Sequence, residues 1–185
     1  MTKKEQILHT ALALFAAQGY DRTATSRIAR EAGVSEGLIF RHYENKAGLL
    51  EAILDEGLRQ IAGTMEGYRL IENPRAAVLD HIRRSFILIR EQEAFWRLAH
   101  MVRFQPEVRV GAAAKLEAIN GFIVRQLAEQ FSKLGARAPQ QEALTLFALI
   151  DGICIQWLQA PEQYPLEDMK DHLINKYRHE QYGLG

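Results

Sequence analysis

Apolar residues recur at helical spacing along most of the chain. In the first segment Ile7, Ala11, Leu14 and Phe15 share one face of a predicted helix that ends at Gly19. No segment alternates apolar and polar residues long enough to predict a β-strand. The pattern therefore predicts an all-α fold of about nine helices.

Three short helices are predicted ahead of a long fourth one. Thr23 or Thr25 is placed to cap the second helix, and Gly33 is placed to end it. Ser35 is expected to cap the third helix and Asn45 the fourth. Short helices this close together predict a compact N-terminal domain.

Five further helices are expected after residue 70. Pro74 and Pro139 each start a helix, and Gly135 ends another. No linker is long enough to separate two halves. We therefore expect the fourth helix to join an N-terminal domain, residues 1–46, rigidly to a second domain, residues 47–185.

Composition narrows the class of protein. The 185 residues are 48% hydrophobic and 25% charged, without a biased tract, as is typical of a globular protein. The apolar stretch from Leu144 to Leu158 is interrupted by Asp151 and Gln156, and no run approaches the roughly 20 residues of a bilayer span. Together with a single cysteine and no signal-peptide pattern, this predicts a cytoplasmic protein that does not enter a membrane.

The segment from residue 19 to residue 50 has the spacing of a helix-turn-helix. A tight turn from Ala32 to Ser35 would join two short helices at the angle that sets the second in a DNA major groove. The helix N-terminus at Ser35 suits a phosphate, and Gly37 permits close approach to the duplex. Arg41 and His42 are predicted on its outer face, where both can hydrogen-bond phosphates or bases. The formal charge is zero overall, but residues 1–46 carry seven basic and five acidic side chains, which favours nucleic acid weakly.

Residues 5–54 carry a motif that is specific in spacing. It comprises Gly19-Tyr20, Thr23, Ile28-Ala29, Ala32-Gly33-Val34-Ser35, Gly37, Phe40, Tyr43, Lys46 and Leu49-Leu50. This segment resembles the DNA-binding signature of the TetR/AcrR family of bacterial transcriptional regulators. Residues 55–185 resemble that family only in helix number and length.

The resemblance implies contact with double-stranded DNA through ten positions, counting the Ser35 helix start. They are Thr25, Ser26, Ser35, Glu36, Gly37, Leu38, Phe40, Arg41, His42 and Lys46. Two depart from the family pattern, since Leu38 stands where threonine is usual and Phe40 where tyrosine is usual. Leu38 could instead contact a thymine methyl group, which would favour A·T pairs.

The resemblance also implies a small-molecule effector pocket reached from the fourth to eighth helices. The chain is rich in aromatic side chains there, although each of them could equally be ordinary core. Candidate pocket residues are Phe86, Trp96, His100, Arg103, Phe104, Phe122, Gln156 and Trp157.

The last two helices offer more apolar surface than their own packing needs. The resemblance implies that they form a homodimer interface, and a two-fold dimer would match a palindromic DNA site. A monomer with both helices packed inward is the alternative. Candidate interface residues are Leu144, Phe147, Ile155, Leu158, Met169, Leu173 and Tyr177.

Other chemistry finds little support in the pattern. Residues 33–37 match the G-x-S-x-G nucleophile motif, but a helix rather than the required strand is predicted before it. The histidines lack metal-ligand spacing and Cys154 lies on an apolar face, so no metal and no cofactor are expected.

The residue patterns predict a non-enzymatic, cytoplasmic DNA-binding regulator. The resemblance implies that it is a homodimeric repressor that binds a palindromic operator and is released by a small, largely apolar effector. A helical protein-interaction adaptor and an all-helical enzyme are the alternatives.

Overall fold

The computed structural model describes residues 1–66, 70–103 and 109–182, and these residues form nine α-helices and no β-strand. The predicted all-α fold is therefore confirmed. The helices are α1 (Lys3–Gln18), α2 (Thr25–Glu31), α3 (Glu36–Tyr43), α4 (Lys46–Glu66), α5 (Pro74–Glu91), α6 (Glu93–Arg103), α7 (Arg109–Lys133), α8 (Pro139–Gln159) and α9 (Leu166–His179).

The chain divides into two compact units. The first comprises residues 1–60 and 92–116, and the second comprises residues 61–91 and 117–185. In the first unit α2 packs against α1 and α3, and α6 packs against α1. In the second unit α5 packs against α8 and α9. The functional division after residue 46 is a different boundary and stays a prediction.

The core of the first unit is built from the apolar faces that the sequence pattern indicates. Ile7, Ala11 and Phe15 of α1 are fully buried, as are Ile28 of α2 and Ile39 of α3. Burial of such side chains stabilises a fold by roughly 1.5–3 kcal/mol each. A polar tie adds to this packing, because the Tyr43 hydroxyl donates a hydrogen bond to the backbone oxygen of Lys4 at 2.9 Å.

The core of the second unit combines α5, α7, α8 and α9. Phe131 of α7 and Tyr177 of α9 are buried, and their ring centroids lie 5.9 Å apart. Arg75 of α5 donates to the backbone oxygens of Tyr177 and Arg178 at 2.7 and 3.2 Å. These carbonyls lie in the last turn of α9, where helical partners are lacking, so Arg75 acts as a cap for that helix end.

The helix caps differ in part from the prediction. Neither predicted threonine caps α2, whose N-cap residue is Ala24. Thr23 is instead buried and donates to the backbone oxygen of Gly19 at 2.9 Å, while Thr25 is the first residue of α2. Ser35 does occupy the N-cap position of α3, but its side chain makes no capping hydrogen bond.

The predicted cap of α4 is confirmed. The backbone nitrogen of Gly48 donates to Asn45 Oδ1 at 2.8 Å, and α4 begins at Lys46. The side-chain oxygen thus satisfies one of the amides that the first turn of a helix leaves without a partner.

Gly57 lets α4 and α6 approach each other closely, which generates a stability prediction. A methyl group added at Gly57 would lie 2.1 Å from a ring carbon of Phe95, whereas one at Gly63 of the same helix would meet no atom within 4 Å. We expect Gly57→Ala to lower the free energy of unfolding by about 1–2 kcal/mol, because overpacking outweighs the gain in helix propensity. Gly63→Ala should raise it by about 1 kcal/mol. Urea unfolding measures both, and equal stabilisation by the two changes would contradict the packing argument.

His81 of α5 makes stability depend on pH. It is 5% exposed, and burial lowers its pKa from 6.5 to about 4, against the opposing effect of Asp80. The unfolded chain therefore binds more protons between these values, and stability is lost as pH falls from about 6.5 through about 4.

We expect His81 to lower the free energy of unfolding by about 2 kcal/mol when the pH falls from 7 to 5. Urea unfolding at the two pH values should show a smaller loss for His81→Gln than for the unaltered chain. His9→Gln, a change at an exposed position of α1, is the matched control. An equal loss in all three proteins would show that His81 does not carry the effect.

Candidate DNA-binding site

The turn between α2 and α3 has the backbone that a helix-turn-helix requires. Gly33 adopts a φ of 60°, in the left-handed region that glycine enters without a side-chain clash. Its amide donates to the Arg30 oxygen at 3.2 Å, and the amide of Val34 donates to the Ala29 oxygen at 3.0 Å. These bonds end α2 and lead directly into α3, so the helix-turn-helix predicted from the spacing is present.

The outer face of α3 is set by its buried face. Ile39 and Tyr43 are buried, so Arg41 and His42 are exposed, as the sequence predicts. Phe40 is 42% exposed, unusual for so large an apolar side chain. This face therefore combines two hydrogen-bonding side chains with an apolar one.

The start of α3 leaves room for a large molecule to approach its backbone. Ser35 and Gly37 are both exposed, and a Cβ atom at Gly37 would meet no other atom within 4 Å. Because the Ser35 side chain does not cap the helix, it leaves the first amides of α3 to other acceptors. Such a helix end attracts anions.

Three further predicted contact residues lie around this helix start. Ser26 is exposed, whereas Leu38 is half-buried. Thr25 is also half-buried, and its hydroxyl donates to Glu36 Oε1 at 2.5 Å. The sequence gives no signal for this bond, because it joins residues eleven positions apart on different helices.

The ammonium group of Lys46 makes several contacts within its own chain that the sequence does not predict. Its ammonium group lies 4.3 Å from the ring centroid of Tyr20 and 6.0 Å from that of Phe15. It also donates to the backbone oxygen of Asp21 at 3.3 Å. Burial lowers the pKa of Lys46, and the nearby Asp21 carboxylate opposes that effect. These contacts hold the start of α4 against the segment that follows α1.

The candidate effector residues fall in both units. In the first unit Trp96, His100 and Arg103 are half-buried on α6, and the ring centroids of Trp96 and His100 lie 6.5 Å apart. In the second unit Phe122 is 37% exposed. Phe104 lies outside the described residues.

Phe86 and Trp157 of the second unit line two cavities. Phe86 borders one of about 260 Å³ and Trp157 one of about 340 Å³. Both cavities also include Arg90 and Glu167, which form an ion pair. Gln156 is exposed, which does not fit the predicted role of a polar anchor inside an enclosed pocket.

The candidate interface residues divide by burial. Leu158, Leu173 and Tyr177 are already buried within the chain, which corrects their prediction as partner-facing surface. Helical periodicity turns them toward the core of the second unit. The residues that keep exposed area are Leu144, which is 50% exposed, and the half-buried Phe147, Ile155 and Met169.

The alternative chemistries have no counterpart in the described residues. The G-x-S-x-G motif follows helix α2 rather than a strand, so Ser35 lacks the setting of a hydrolase nucleophile. Among the described residues no three histidine, cysteine or acidic side chains are grouped as a metal site, and Cys154 is buried.

Comparison with known proteins identifies the N-terminal region. Residues 7–53 match the family model described as bacterial regulatory proteins, tetR family. These 47 of the 185 residues are therefore similar to the tetR family. The HTH-type transcriptional regulator YvkB of Bacillus subtilis is 46% identical over 52 residues, which is 28% of each protein, so that likeness concerns this region alone.

Solved structures match the fold over nearly the whole chain. FadR from Bacillus subtilis, solved in complex with stearoyl-CoA, has a TM-score of 0.80 at 20% identity. The match covers 98% of this chain and 99% of that one. AibR, solved in complex with isovaleryl coenzyme A and operator DNA, has a TM-score of 0.79 at 20% identity, covering 95% of this chain and 97% of that one. The likeness in fold thus extends beyond the matched N-terminal region.

Proposed function

We propose that this chain is a transcriptional regulator that binds double-stranded operator DNA through α3. The observation that carries the proposal is the outer face of α3, where Arg41, His42 and Phe40 are exposed beside an open helix start at Gly37. A helix of this kind enters the major groove with its N-terminal residues against base edges. The match of residues 7–53 to the tetR family model and the operator complex of AibR support the same conclusion.

Each group on this surface has a distinct role in the proposal. Arg41 and His42 donate hydrogen bonds to phosphates or bases, and the amides at Ser35 bind a phosphate. Leu38 contacts a thymine methyl group, because its side chain is apolar and carries no hydroxyl. Lys46, held by Tyr20, contributes positive charge at the edge of the surface.

Replacing Arg41 tests the proposed surface. We expect Arg41→Ala to cost about 1–3 kcal/mol of binding free energy on DNA fragments selected with the unaltered protein, because a charged hydrogen-bond donor is lost. Fluorescence anisotropy across a range of salt concentrations measures affinity and its salt slope. Arg59→Ala is the matched control, because it also removes an exposed arginine, but from α4. This variant should bind DNA as tightly as the unaltered protein does.

The same titration separates the classes of protein. Affinity that falls steeply with salt supports the regulator, because phosphate contacts release counterions. A helical adaptor or an all-helical enzyme would bind no DNA in this way. Full affinity in Arg41→Ala would show that α3 is not the reading helix.

A homodimer is the second part of the proposal, and α8 supports it. This helix is long and apolar enough to cross a membrane by length and composition, yet only 39% of its most apolar 18-residue window is buried. Leu144 is 50% exposed and Leu149 is 38% exposed. A second copy of α8 would cover this apolar surface and supply the two-fold symmetry of a palindromic operator.

A charge placed on α8 should prevent dimerisation. We expect Leu144→Glu to shift the protein from dimer to monomer, because the carboxylate would be buried between the two copies. Ile87→Glu on α5 is the matched control, since Ile87 is 49% exposed and lies in the same unit. Sedimentation velocity gives the oligomeric state. A monomeric unaltered protein would refute the dimer, and a dimeric Leu144→Glu variant would refute this interface.

The third part of the proposal is that the protein is a cytoplasmic repressor. A small, largely apolar effector releases it from the operator. The cavities lined by Phe86 and Trp157 support it, because each combines an aromatic side chain with the Arg90 and Glu167 ion pair. The cavity beside Trp157 combines apolar lining residues such as Pro161 and Leu166 with a few charged groups, which is the usual form of a small-molecule site, whereas the cavity beside Phe86 is lined mainly by charged side chains. The ligand acts only if it binds the operator-free conformation more tightly.

Isovaleryl coenzyme A and stearoyl-CoA, which occupy AibR and FadR, serve as probes of this effector class. We expect the acylated probes to weaken operator binding at least tenfold at saturation, as a coupling of about 1.4 kcal/mol would do. Coenzyme A without an acyl chain is the matched control. Unchanged operator affinity with both acylated probes would refute an acyl ligand of this kind.

A further inference from the structure

One carboxylate lies at the start of the proposed reading helix. Glu36 is the first residue of α3 and is half-buried, and Thr25 is the first residue of α2. The Thr25 hydroxyl donates to Glu36 Oε1 at 2.5 Å. A hydrogen bond to an ionised acceptor is short and strong, so it restricts the rotamers of both side chains. The carboxylate is therefore held in one orientation.

The second oxygen of this carboxylate remains available. Within the described residues, Glu36 forms no ion pair and accepts no hydrogen bond at Oε2, and the exposed Arg27 nearby in sequence pairs with Glu31 instead. An uncompensated carboxylate facing a duplex is repelled by the phosphates. It gains binding energy only from a hydrogen-bond donor on a base edge.

Base chemistry narrows the donor to cytosine. In the major groove, cytosine presents the N4 amino group as a donor, whereas adenine presents its N6 amino group beside the N7 acceptor. A carboxylate only accepts hydrogen bonds, so the N7 acceptor beside N6 in adenine would repel its negative charge. Guanine and thymine offer acceptors to this edge and no donor.

We propose that Glu36, oriented by Thr25, is a specificity-determining residue that selects cytosine at one position of each operator half-site. This inference rests on the proposed DNA-binding function. Thr25 is a positioning residue in it, since it acts through the carboxylate rather than on the base.

Selection of DNA fragments in vitro, followed by sequencing, tests the inference. The readout is the base preference at each position, which a carboxylate with a merely structural role would not change. At one base pair per half-site the unaltered protein should prefer cytosine about five- to tenfold. Glu36→Gln should lose that preference, because the amide nitrogen that replaces Oε2 donates hydrogen bonds and cannot accept one from cytosine N4. The glutamine oxygen can still accept from Thr25, which preserves the link between α2 and α3. Glu31→Gln, an exposed position at the end of α2, is the matched control and should keep the cytosine preference.

A second variant tests the role of Thr25. Thr25→Val removes the hydroxyl and should reduce the cytosine preference at the same base pair, whatever it does to overall affinity, because the carboxylate is no longer oriented. Circular dichroism melting establishes that each variant is folded before selection.

The outcomes separate this inference from the function on which it rests. If the unaltered protein selects no sequence, the DNA-binding proposal itself fails. If it selects an operator and Glu36→Gln changes only affinity, with the same base preferences, Glu36 is a structural link and the inference is overturned. An unchanged preference in Thr25→Val would overturn the orienting role of Thr25.

Discussion

Burial of Ile39 and Tyr43 is the constraint on which the rest of the candidate site depends. These side chains take up the inner face of α3, so the helix can present only its opposite face to solvent. That face carries Arg41 and His42, and it begins at Gly37, where no other atom restricts approach. The surface proposed to bind DNA is thus a direct consequence of how α1, α2 and α3 pack.

Polar links refine the position of α3 beyond what apolar packing provides. The Tyr43 hydroxyl bonds to the backbone of α1, and Thr25 of α2 bonds to Glu36 of α3. Lys46 lies over the Tyr20 ring at the start of α4. A net hydrogen bond contributes only about 0.5–1.5 kcal/mol, but its direction fixes geometry that non-directional burial leaves loose.

In the second unit, apolar residues at similar helical spacing differ in burial. Leu158, Leu173 and Tyr177 are buried within the chain, while Leu144 on α8 stays half exposed. Apolar periodicity alone does not distinguish these residues, because a core and an oligomer interface select the same side chains. Solvent exposure in one chain makes the distinction and leaves Leu144, Phe147 and Ile155 of α8 and Met169 of α9 as interface candidates.

The sequence by itself determined the all-α class, the nine helices of the described residues, most of the helix ends and the outer face of α3. These features follow from local periodicity and from glycine, proline and asparagine at helix ends, such as Asn45 before α4. Only the tertiary structure decided that Thr23 is a buried donor to Gly19 rather than a cap, that Phe95 packs on Gly57, and that Thr25 holds Glu36. These contacts join residues on different segments, and no spacing rule along the chain encodes them.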